Sequence, residues 1–245
     1  MSDPLKNLFG NIRIVLCETQ HPGNIGAAAR AMKTMGLSQL YLVNPLRFPD
    51  QEASGRATNA GDVLANATVC ASLDEALSGV ALAAACTARS RDIAAPAVAA
   101  REAAARLVEV ARSQPVALVF GNEVCGLATD QVKHCQLVAT IPAAPAHTSL
   151  NLAAAVQVFA YELRMHAAGS AVAGKPRELA SHEEIEGFYA HLEQELFAIG
   201  YLNPDQPKKL MQRVRRLYAR AQLERVEVNI LRGIVRTLRM PKKRT

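Results

Sequence analysis

Short apolar segments that alternate with alanine-rich helical segments constrain the fold of this chain more than any other feature. Ile12–Cys17, Leu40–Val43 and Val116–Phe120 are nearly continuous runs of aliphatic and β-branched residues. Such runs are typical of strands that are buried on both faces of a parallel sheet. Weaker strands are predicted at Ala67–Cys70, Val80–Cys86 and Gln136–Ile141. The alternation predicts an α/β domain with a mostly parallel sheet.

Short polar loops follow four of these predicted strands, after Cys17, Cys86, Phe120 and Ile141. In open parallel sheets, ligands bind in the crevice beyond the carboxyl ends of the strands. We therefore expect the four loops to converge on one crevice.

The first loop leads into the segment Asn24–Arg30, of sequence NIGAAAR. Asn24 is expected to cap a helix that runs to about Met35, and Gly26 allows another backbone to approach closely. Taken alone, Arg30 is a surface charge or an ion-pair partner. Its alternative role is a guanidinium aimed at a phosphate, which its planar fork suits.

Two further loops are more polar than a simple connection requires. Gly121–Leu127 (GNEVCGL) has two glycines after a buried strand, which indicates a tight turn near a ligand. It is neither a P-loop nor a dinucleotide-binding fingerprint, and Glu123 in isolation would cap backbone amides. Thr148–Asn151 precedes an alanine- and valine-rich helix, predicted from Ser149 to about His166. A Ser or Asn oxygen satisfies the first N–H groups of such a helix, and the same helix end favours a carboxylate or phosphate of a ligand.

The C-terminal segment has a composition of its own. Lys208–Thr245 contains 13 Lys and Arg and 2 Asp and Glu, a net charge of +11, whereas the remainder of the chain carries −5. This excess favours nucleic acid or another polyanion as a partner, with a solvated helix surface as the alternative. We predict a domain over residues 1–167, a linker over 168–180 and a helical basic extension over 181–245. The residues expected to face inward on the first basic helix are Leu210, Val214 and Leu217.

Several classes of protein do not fit this sequence. The five cysteines are odd in number and form no CxxC pair, so neither a disulfide framework nor a zinc site is expected. No stretch approaches the roughly 18 apolar residues that span a membrane, and the first residues do not resemble a secretion signal. We therefore predict a cytoplasmic protein without a membrane partner.

Taken together and in this order, three motifs resemble those of one enzyme family. The patterns N-x-G-x-x-x-R, G-x-E-x-x-G-L and S-L-N-x-A, each after a predicted strand, are similar to the motifs of the SpoU/TrmH branch of the SPOUT RNA methyltransferases. The resemblance covers roughly residues 10–167. It implies a parallel sheet with helices on both faces, a C-terminal trefoil knot, a homodimer, and S-adenosylmethionine as the cofactor.

Longer segments indicate which subfamily of this branch the chain resembles. LVNPL, TARSR, LVFGNEVCGL and the basic helical extension look closest to a bacterial subfamily that acts on tRNA. The activity implied is methyl transfer to the ribose 2′-hydroxyl of cytidine or uridine at position 32 of the anticodon loop. Methylation of another tRNA or rRNA nucleotide, and a non-catalytic RNA-binding protein of the same fold, are the alternatives.

The resemblance also implies roles for individual residues. Those implied to contact the cofactor, largely through backbone groups, are Cys86, Thr87, Ala88, Gly121, Ile141, Thr148, Ser149 and Leu150. Arg30 is implied to activate the 2′-hydroxyl. The residues implied to position that group and to order the loops are Asn24, Glu123, Ser149 and Asn151, of which Asn151 would also fix the loop of Asn24.

Two groups of basic residues are predicted to contact RNA phosphates. Arg89 and Arg91 occupy the place of a similar pair in the subfamily, and the other residues lie in the extension: Lys208, Lys209, Arg213, Arg215 and Arg216. Such contacts would give a tRNA affinity that falls steeply with salt. His21 and His147 lie beside the motif loops as alternative proton acceptors, although the family requires no histidine there.

Overall fold

Seven strands form a parallel sheet in the computed structural model of the chain, which describes residues 5–88, 97–169, 178–203 and 209–238. The strands are β1 (Ile12–Cys17), β2 (Gln39–Val43), β3 (Thr68–Cys70), β4 (Leu82–Cys86), β5 (Ala97–Ala99), β6 (Val116–Phe120) and β7 (Leu137–Thr140). They lie in the order β3-β2-β1-β6-β4-β7-β5, and every neighbouring pair is parallel. The predicted α/β class with a parallel sheet is confirmed.

Helices connect these strands and continue beyond them. Those in the described ranges are α1 (Lys6–Gly10), α2 (Pro22–Thr34), α3 (Gln51–Ala57), α4 (Gly61–Ala65), α5 (Leu73–Leu77), α6 (Ala100–Ala111), α7 (Thr129–Lys133), α8 (Leu152–Gly169), α9 (His182–Ala198), α10 (Leu210–Ala221) and α11 (Arg225–Thr237). None of the helices in these ranges has both the length and the hydropathy that a membrane crossing requires.

Alternate side chains of the strands enter two separate cores, because successive residues of a strand point to opposite faces. Ile14 and Leu16 of β1 pack in the larger core with residues of α2, α6 and α8. Val15 and Cys17 point the other way, into a smaller core with residues of α5 and α7. Helices therefore cover both faces, while the edge strands β3 and β5 contribute only three residues each.

The start of one predicted helix belongs to a strand instead. The sequence predicts a helix over residues 98–112, but Ala97–Ala99 forms β5 and α6 begins at Ala100. This strand is short, pairs with β7 and contains two alanines, so the β-branched run that signals a strand is missing.

Two helices begin at other residues than predicted. Helix α2 begins at Pro22, whose fixed φ suits the first helical position, and not at Asn24. Helix α8 begins at Leu152, so Ser149 lies in the preceding loop.

The helices α9, α10 and α11 surround a third core. Phe188 of α9 and Val228 of α11 are almost fully buried in it, and Val214 of α10 packs against it. The prediction that Leu217 faces inward is wrong, since its side chain is 53% exposed. The inward side of α10 carries Met211, Val214 and Tyr218, which recur at helical spacing.

Hydrogen bonds fasten this C-terminal region to the sheet domain. The Gln114 side chain donates to the carbonyl of Leu179 (2.7 Å) and accepts from its N–H (2.8 Å). The N–H of His182 donates to the carbonyl of Val80 (2.8 Å). The Glu183 carboxylate accepts from the N–H of Gly79 (2.9 Å). Burial alone would raise the pKa of Glu183, but hydrogen bonds, chiefly from Ser78, lower it to about 2.

Candidate functional site

A cavity of about 330 Å³ lies at the carboxyl ends of β4, β6 and β7. Its lining comes from the loops after these strands and from the first turns of α8. The lining residues are Cys86, Thr87, Ala88, Phe120, Gly121, Asn122, Glu123, Val124, Gly126, Ala139, Ile141, Thr148, Ser149, Leu150, Leu152, Ala155 and Phe159. All the residues predicted to contact a cofactor are in this set, so the structure brings them together.

The inner wall of the cavity is apolar. Phe120 and Phe159 meet edge to face, with ring centroids 5.6 Å apart. Burial raises the pKa of the Cys86 thiol well above its ordinary value, so the thiol stays protonated and behaves as a small apolar group. The sequence did not signal Phe120, Phe159, Leu152 or Ala155 as site residues, because an apolar residue in a strand or helix looks like core. The wall suits the flat apolar face of a ligand.

The turn after β6 has no room for a side chain at its first residue. A Cβ on Gly121 would lie 2.1 Å from the carbonyl carbon of Gly126. Asn122 holds the turn, because its Oδ1 accepts from the N–H groups of Val124 (3.1 Å) and Cys125 (2.7 Å). Gly126 closes it with a φ of +67°. The motifs gave Asn122 no role, although the preference of asparagine for turns is a signal that identifies it.

The Glu123 carboxylate joins this turn to the start of α2. Its Oε1 accepts from Nδ2 of Asn24 (2.8 Å) and from the N–H of His21 (3.3 Å), and its Oε2 accepts from the N–H of Gln20 (3.0 Å). Burial alone would raise the pKa of Glu123, but these hydrogen bonds lower it below its ordinary value. The carboxylate is therefore ionised at neutral pH and is a weak base, which suits positioning more than proton transfer.

Asn24 and Asn151 extend this connection to α8. Oδ1 of Asn24 accepts from Nδ2 of Asn151 (3.0 Å). Oδ1 of Asn151 in turn accepts from the N–H groups of Ala153 (2.9 Å) and Ala154 (3.3 Å), so Asn151 caps α8. The prediction that Asn24 caps α2 is wrong, because Asn24 lies inside the first turn and its side chain points to Glu123 and Asn151.

Arg30 lies on the exposed side of α2 and is not among the described residues that line the cavity. Its Nη1 is 3.5 Å from Oγ1 of Thr58. Ser149, in contrast, lines the cavity and is exposed. His21 and His147 are exposed and outside the lining set, and His21 reaches Glu123 through its backbone and not through its ring.

The predicted RNA-binding residues fall into three groups. Lys209, Arg213 and Arg216 are exposed. Arg215 is engaged within the extension: its Nη1 and Nη2 donate to the two oxygens of Glu186 (2.6 and 2.7 Å), and its guanidinium lies 4.4 Å from the ring centroid of Tyr189. These contacts give Arg215 partners within the extension. The residues outside the described ranges are Arg89, Arg91 and Lys208.

Two family models match the chain. The SpoU rRNA Methylase family matches residues 11–161, more than half of the chain. The model of the tRNA methyltransferase TrmJ, C-terminal domain, matches residues 183–245.

Curated relatives match nearly the whole chain. The tRNA (cytidine/uridine-2'-O-)-methyltransferase TrmJ of Pectobacterium atrosepticum is 48% identical over 232 residues, which cover 93% of this chain and 96% of the relative. The tRNA (cytidine/uridine/adenosine-2'-O-)-methyltransferase TrmJ of Pseudomonas aeruginosa is 47% identical over 242 residues, which cover 93% of both chains.

Solved structures share the fold. TrmJ from Z. mobilis ZM4 aligns with a TM-score of 0.80 and 34% identity, over 92% of this chain and 98% of that structure. The AdoMet-bound rRNA methyltransferase from Sinorhizobium meliloti aligns with a TM-score of 0.52 and 28% identity, over 68% of this chain and 61% of that one.

Proposed function

Because the chain belongs to the SpoU rRNA methylase family, we propose that it is an S-adenosylmethionine-dependent enzyme that methylates the ribose 2′-hydroxyl of cytidine and uridine in tRNA, at position 32 of the anticodon loop. The observation that carries the proposal is the 48% identity to a TrmJ enzyme over nearly the whole chain. The cavity at the carboxyl ends of β4, β6 and β7 supplies a site whose lining fits the cofactor.

The cavity residues fit S-adenosylmethionine. The missing side chain at Gly121 lets main chain come close to a ligand. Ile141, Leu150 and Phe159 offer apolar surface for a purine, and the hydroxyls of Thr148 and Ser149 offer polar contacts. When bound, the cofactor would supply a methyl group on a sulfonium sulfur, which leaves as a neutral thioether and requires no acid.

The chemical difficulty then lies with the 2′-hydroxyl, which is weakly acidic. Its proton needs an acceptor, or the charge that develops on its oxygen needs a nearby cation. We assign the cation to Arg30, because a guanidinium remains protonated and binds phosphate and oxygen through a planar fork. Glu123, Asn24 and Asn151 act as positioning residues, since their hydrogen bonds fix the loops on both sides of the cavity. Ser149, exposed at the cavity rim, is placed to orient the ribose.

A homodimer and a trefoil knot belong to the same proposal. Arg30 is exposed on α2, outside the cavity lining of its own chain, which supports a second copy as the place where it acts. Helix α8, which packs beside α2, exposes Tyr161 (47%) and Met165 (43%) one turn apart, an apolar surface of the kind found at subunit contacts. Membership of the family supports the knot around the loop that precedes α8.

The C-terminal extension is proposed to bind tRNA. Lys209, Arg213 and Arg216 are exposed cations on it, and the match to the TrmJ C-terminal domain covers the same region. Arg89, Arg91 and Lys208 remain in the proposal, whereas Arg215 has a structural role. A tRNA substrate would place the enzyme in the cytoplasm.

Methylation of unmodified tRNA tests the proposal directly. The protein is incubated with tRNA and S-adenosylmethionine, and the nucleosides are analysed by mass spectrometry. We expect 2′-O-methylcytidine and 2′-O-methyluridine, and Arg30→Ala should lower their formation by about 10²-fold or more while calorimetry finds unchanged cofactor binding. Lys33→Ala is the matched control, because Lys33 is an exposed cation one turn further along α2 that pairs with Asp62. It should retain activity.

Other nucleotides form a second candidate target. The name of the P. aeruginosa relative includes adenosine, so the substrate range differs among enzymes similar to this chain. Methylated adenosine in the same assay would widen the range, and methylated guanosine would contradict the proposed target while keeping the reaction. Absence of both methylation and cofactor binding would favour a non-catalytic RNA-binding protein.

A further inference from the structure

We propose that Asp74, His134 and His182 form a binding site for a divalent transition metal ion, with Zn²⁺ as the best match, where the sheet domain meets α9. None of the three is among the described residues that line the cavity, so the site is separate from the proposed cofactor site. Its role would be to fasten the C-terminal helices to the sheet domain.

Three separate elements bring the ligand atoms together. Asp74 lies in the first turn of α5, His134 directly follows α7, and His182 is the first residue of α9. Oδ1 of Asp74 is 2.8 Å from Nδ1 of His134 and 2.8 Å from Nε2 of His182. One ligand atom from each residue lies within 4.8 Å of the other two. The three groups therefore converge on a single point.

Hydrogen bonding accounts for only one of the two contacts of Asp74, the one between its Oδ1 and Nε2 of His182 (2.8 Å). Nδ1 of His134 is buried and has no hydrogen-bond partner in the described ranges, although a carboxylate oxygen lies only 2.8 Å away. His182 is 4% exposed, and its Nε2 is the nitrogen that faces Asp74 and that an ion would engage. Buried polar nitrogens nearly always have a partner, and an ion is one explanation when they do not. A short contact without hydrogen-bond geometry is expected where lone pairs point at a common ion.

The types of ligand indicate which metal ion fits the site. Two imidazoles and one carboxylate, with a fourth position open to water, are a common set for Zn²⁺. Metal–ligand distances of about 2.0–2.2 Å would place the ligand atoms roughly 3.3 Å apart, so the pairs at 2.8 Å need to separate by only about half an ångström. The Asp74 side chain is 60% exposed, which leaves a path for the ion and space for the water.

The site adds to contacts that already join α9 to the sheet domain. The N–H of His182 bonds to Val80, and the neighbouring Glu183 bonds to Gly79. A metal held by His182 from α9 and by Asp74 and His134 from the sheet domain would crosslink the same junction. Binding should therefore stabilise the folded protein according to the metal concentration.

Zn²⁺ itself is the probe for the test. The full-length protein is stripped with a chelator, freed of it, and titrated with zinc chloride by calorimetry, and bound metal is counted by mass spectrometry after gel filtration. We expect one Zn²⁺ per chain and a higher Tm with zinc. Asp74→Asn and His134→Gln should each weaken zinc affinity at least about 10-fold, since even second-shell changes cost about that much. Co²⁺ should give the visible absorption of a four-coordinate site.

Three control variants separate this site from other zinc ligands. Asp130→Asn removes an exposed carboxylate that pairs with Lys133, and His191→Gln removes a half-buried imidazole of α9. Cys125→Ser removes the exposed thiol. All three should bind zinc as the wild type does. Zinc affinity that is unchanged in Asp74→Asn and His134→Gln, or a wild type that binds no zinc, would overturn the proposal and leave the cluster as a hydrogen-bonded contact. Asp74 and His134 are used because His182 is buried and its substitution also disturbs packing.

Discussion

The carboxylate of Glu123 connects two loops that lie about a hundred residues apart in the sequence. It accepts hydrogen bonds from the backbone of Gln20 and His21 and from the side chain of Asn24. The Asn24 side chain in turn accepts a hydrogen bond from Asn151. Glu123 uses both of its carboxylate oxygens, and Asn24 and Asn151 each use both the oxygen and the nitrogen of the side-chain amide. A substitution that changes only one of these atoms, such as Asn151→Asp, therefore removes one connection while leaving the other in place.

A pH series tests the ionised state of Glu123. Its pKa in the folded protein lies below the ordinary value of 4.5, so ionisation stabilises the fold above pH 4.5, and this contribution is lost as the pH falls through the folded value. We expect Glu123→Gln to have a lower Tm than the wild type at pH 7, with a difference that shrinks from about pH 5 downward. Thermal unfolding across the pH range measures it. A difference that stays constant into strong acid would count against this role.

Two substitutions of Asn151 separate its cap from its contact with Asn24. Asn151→Asp keeps an oxygen for the N–H groups of Ala153 and Ala154 but loses the donor to Asn24. It should keep the Tm and lower the methylation rate by about 10-fold, the equivalent of one hydrogen bond. Asn151→Ala loses both interactions and should also lower stability by about 1 kcal/mol. Equal rates for the aspartate variant and the wild type would show that the contact with Asn24 is dispensable.

At the scale of elements, the turn between β6 and α7 requires a first residue without a side chain. A Cβ on Gly121 would overlap the peptide between Gly126 and Leu127. Gly121→Ala should therefore displace the turn and weaken cofactor binding by at least about 10-fold, measured by calorimetry, because main chain forms this wall. Gly55→Ala is the matched control: a Cβ there has open space within α3, and the change should be neutral or stabilise the helix by up to about 1 kcal/mol. Similar losses in both variants would contradict the steric argument.

The elements also show what the sequence can and cannot predict. Strands such as Ile12–Cys17 and Val116–Phe120 were predictable because burial on both faces requires an apolar run. Strand β5 was not, because three edge residues that include two alanines carry no such signal. The cofactor-binding set was predicted from the motifs, whereas Phe159 became a wall residue only through the way α8 packs beneath the cavity. The inward side of α10 was predicted one residue away from where it lies, because the packing of α10 against the neighbouring helices determines which of its residues are buried.

At the scale of the whole molecule, a mildly acidic domain carries a strongly basic extension. Lys209 and Arg213 are exposed on it, whereas Arg215 is bound to Glu186 and stacked on Tyr189. Replacing both Lys209 and Arg213 with alanine should weaken tRNA binding and reduce the slope of log affinity against log salt by about 0.7–0.9 for each phosphate that the variant no longer neutralises. Cofactor affinity should not change. Arg215→Ala should instead lower the Tm, because it leaves Glu186 without its bidentate partner.

Binding measured across a salt series distinguishes these outcomes. An unchanged slope in the double variant would show that the two cations do not contact phosphate. A reduced slope in Arg215→Ala without a decrease in Tm would reverse the assignment of the two groups.

The ends of the sheet have a consequence for how this protein behaves in a crowded solution. Within the described part of the chain, the edge strands β3 and β5 each have only three residues, so they offer a neighbouring chain few backbone groups with which to pair. Long open edges are the usual templates for aggregation and fibril growth. Short edges therefore protect this parallel, alanine-rich sheet from uncontrolled self-association. Contacts between copies are then confined to the surfaces of helices and loops.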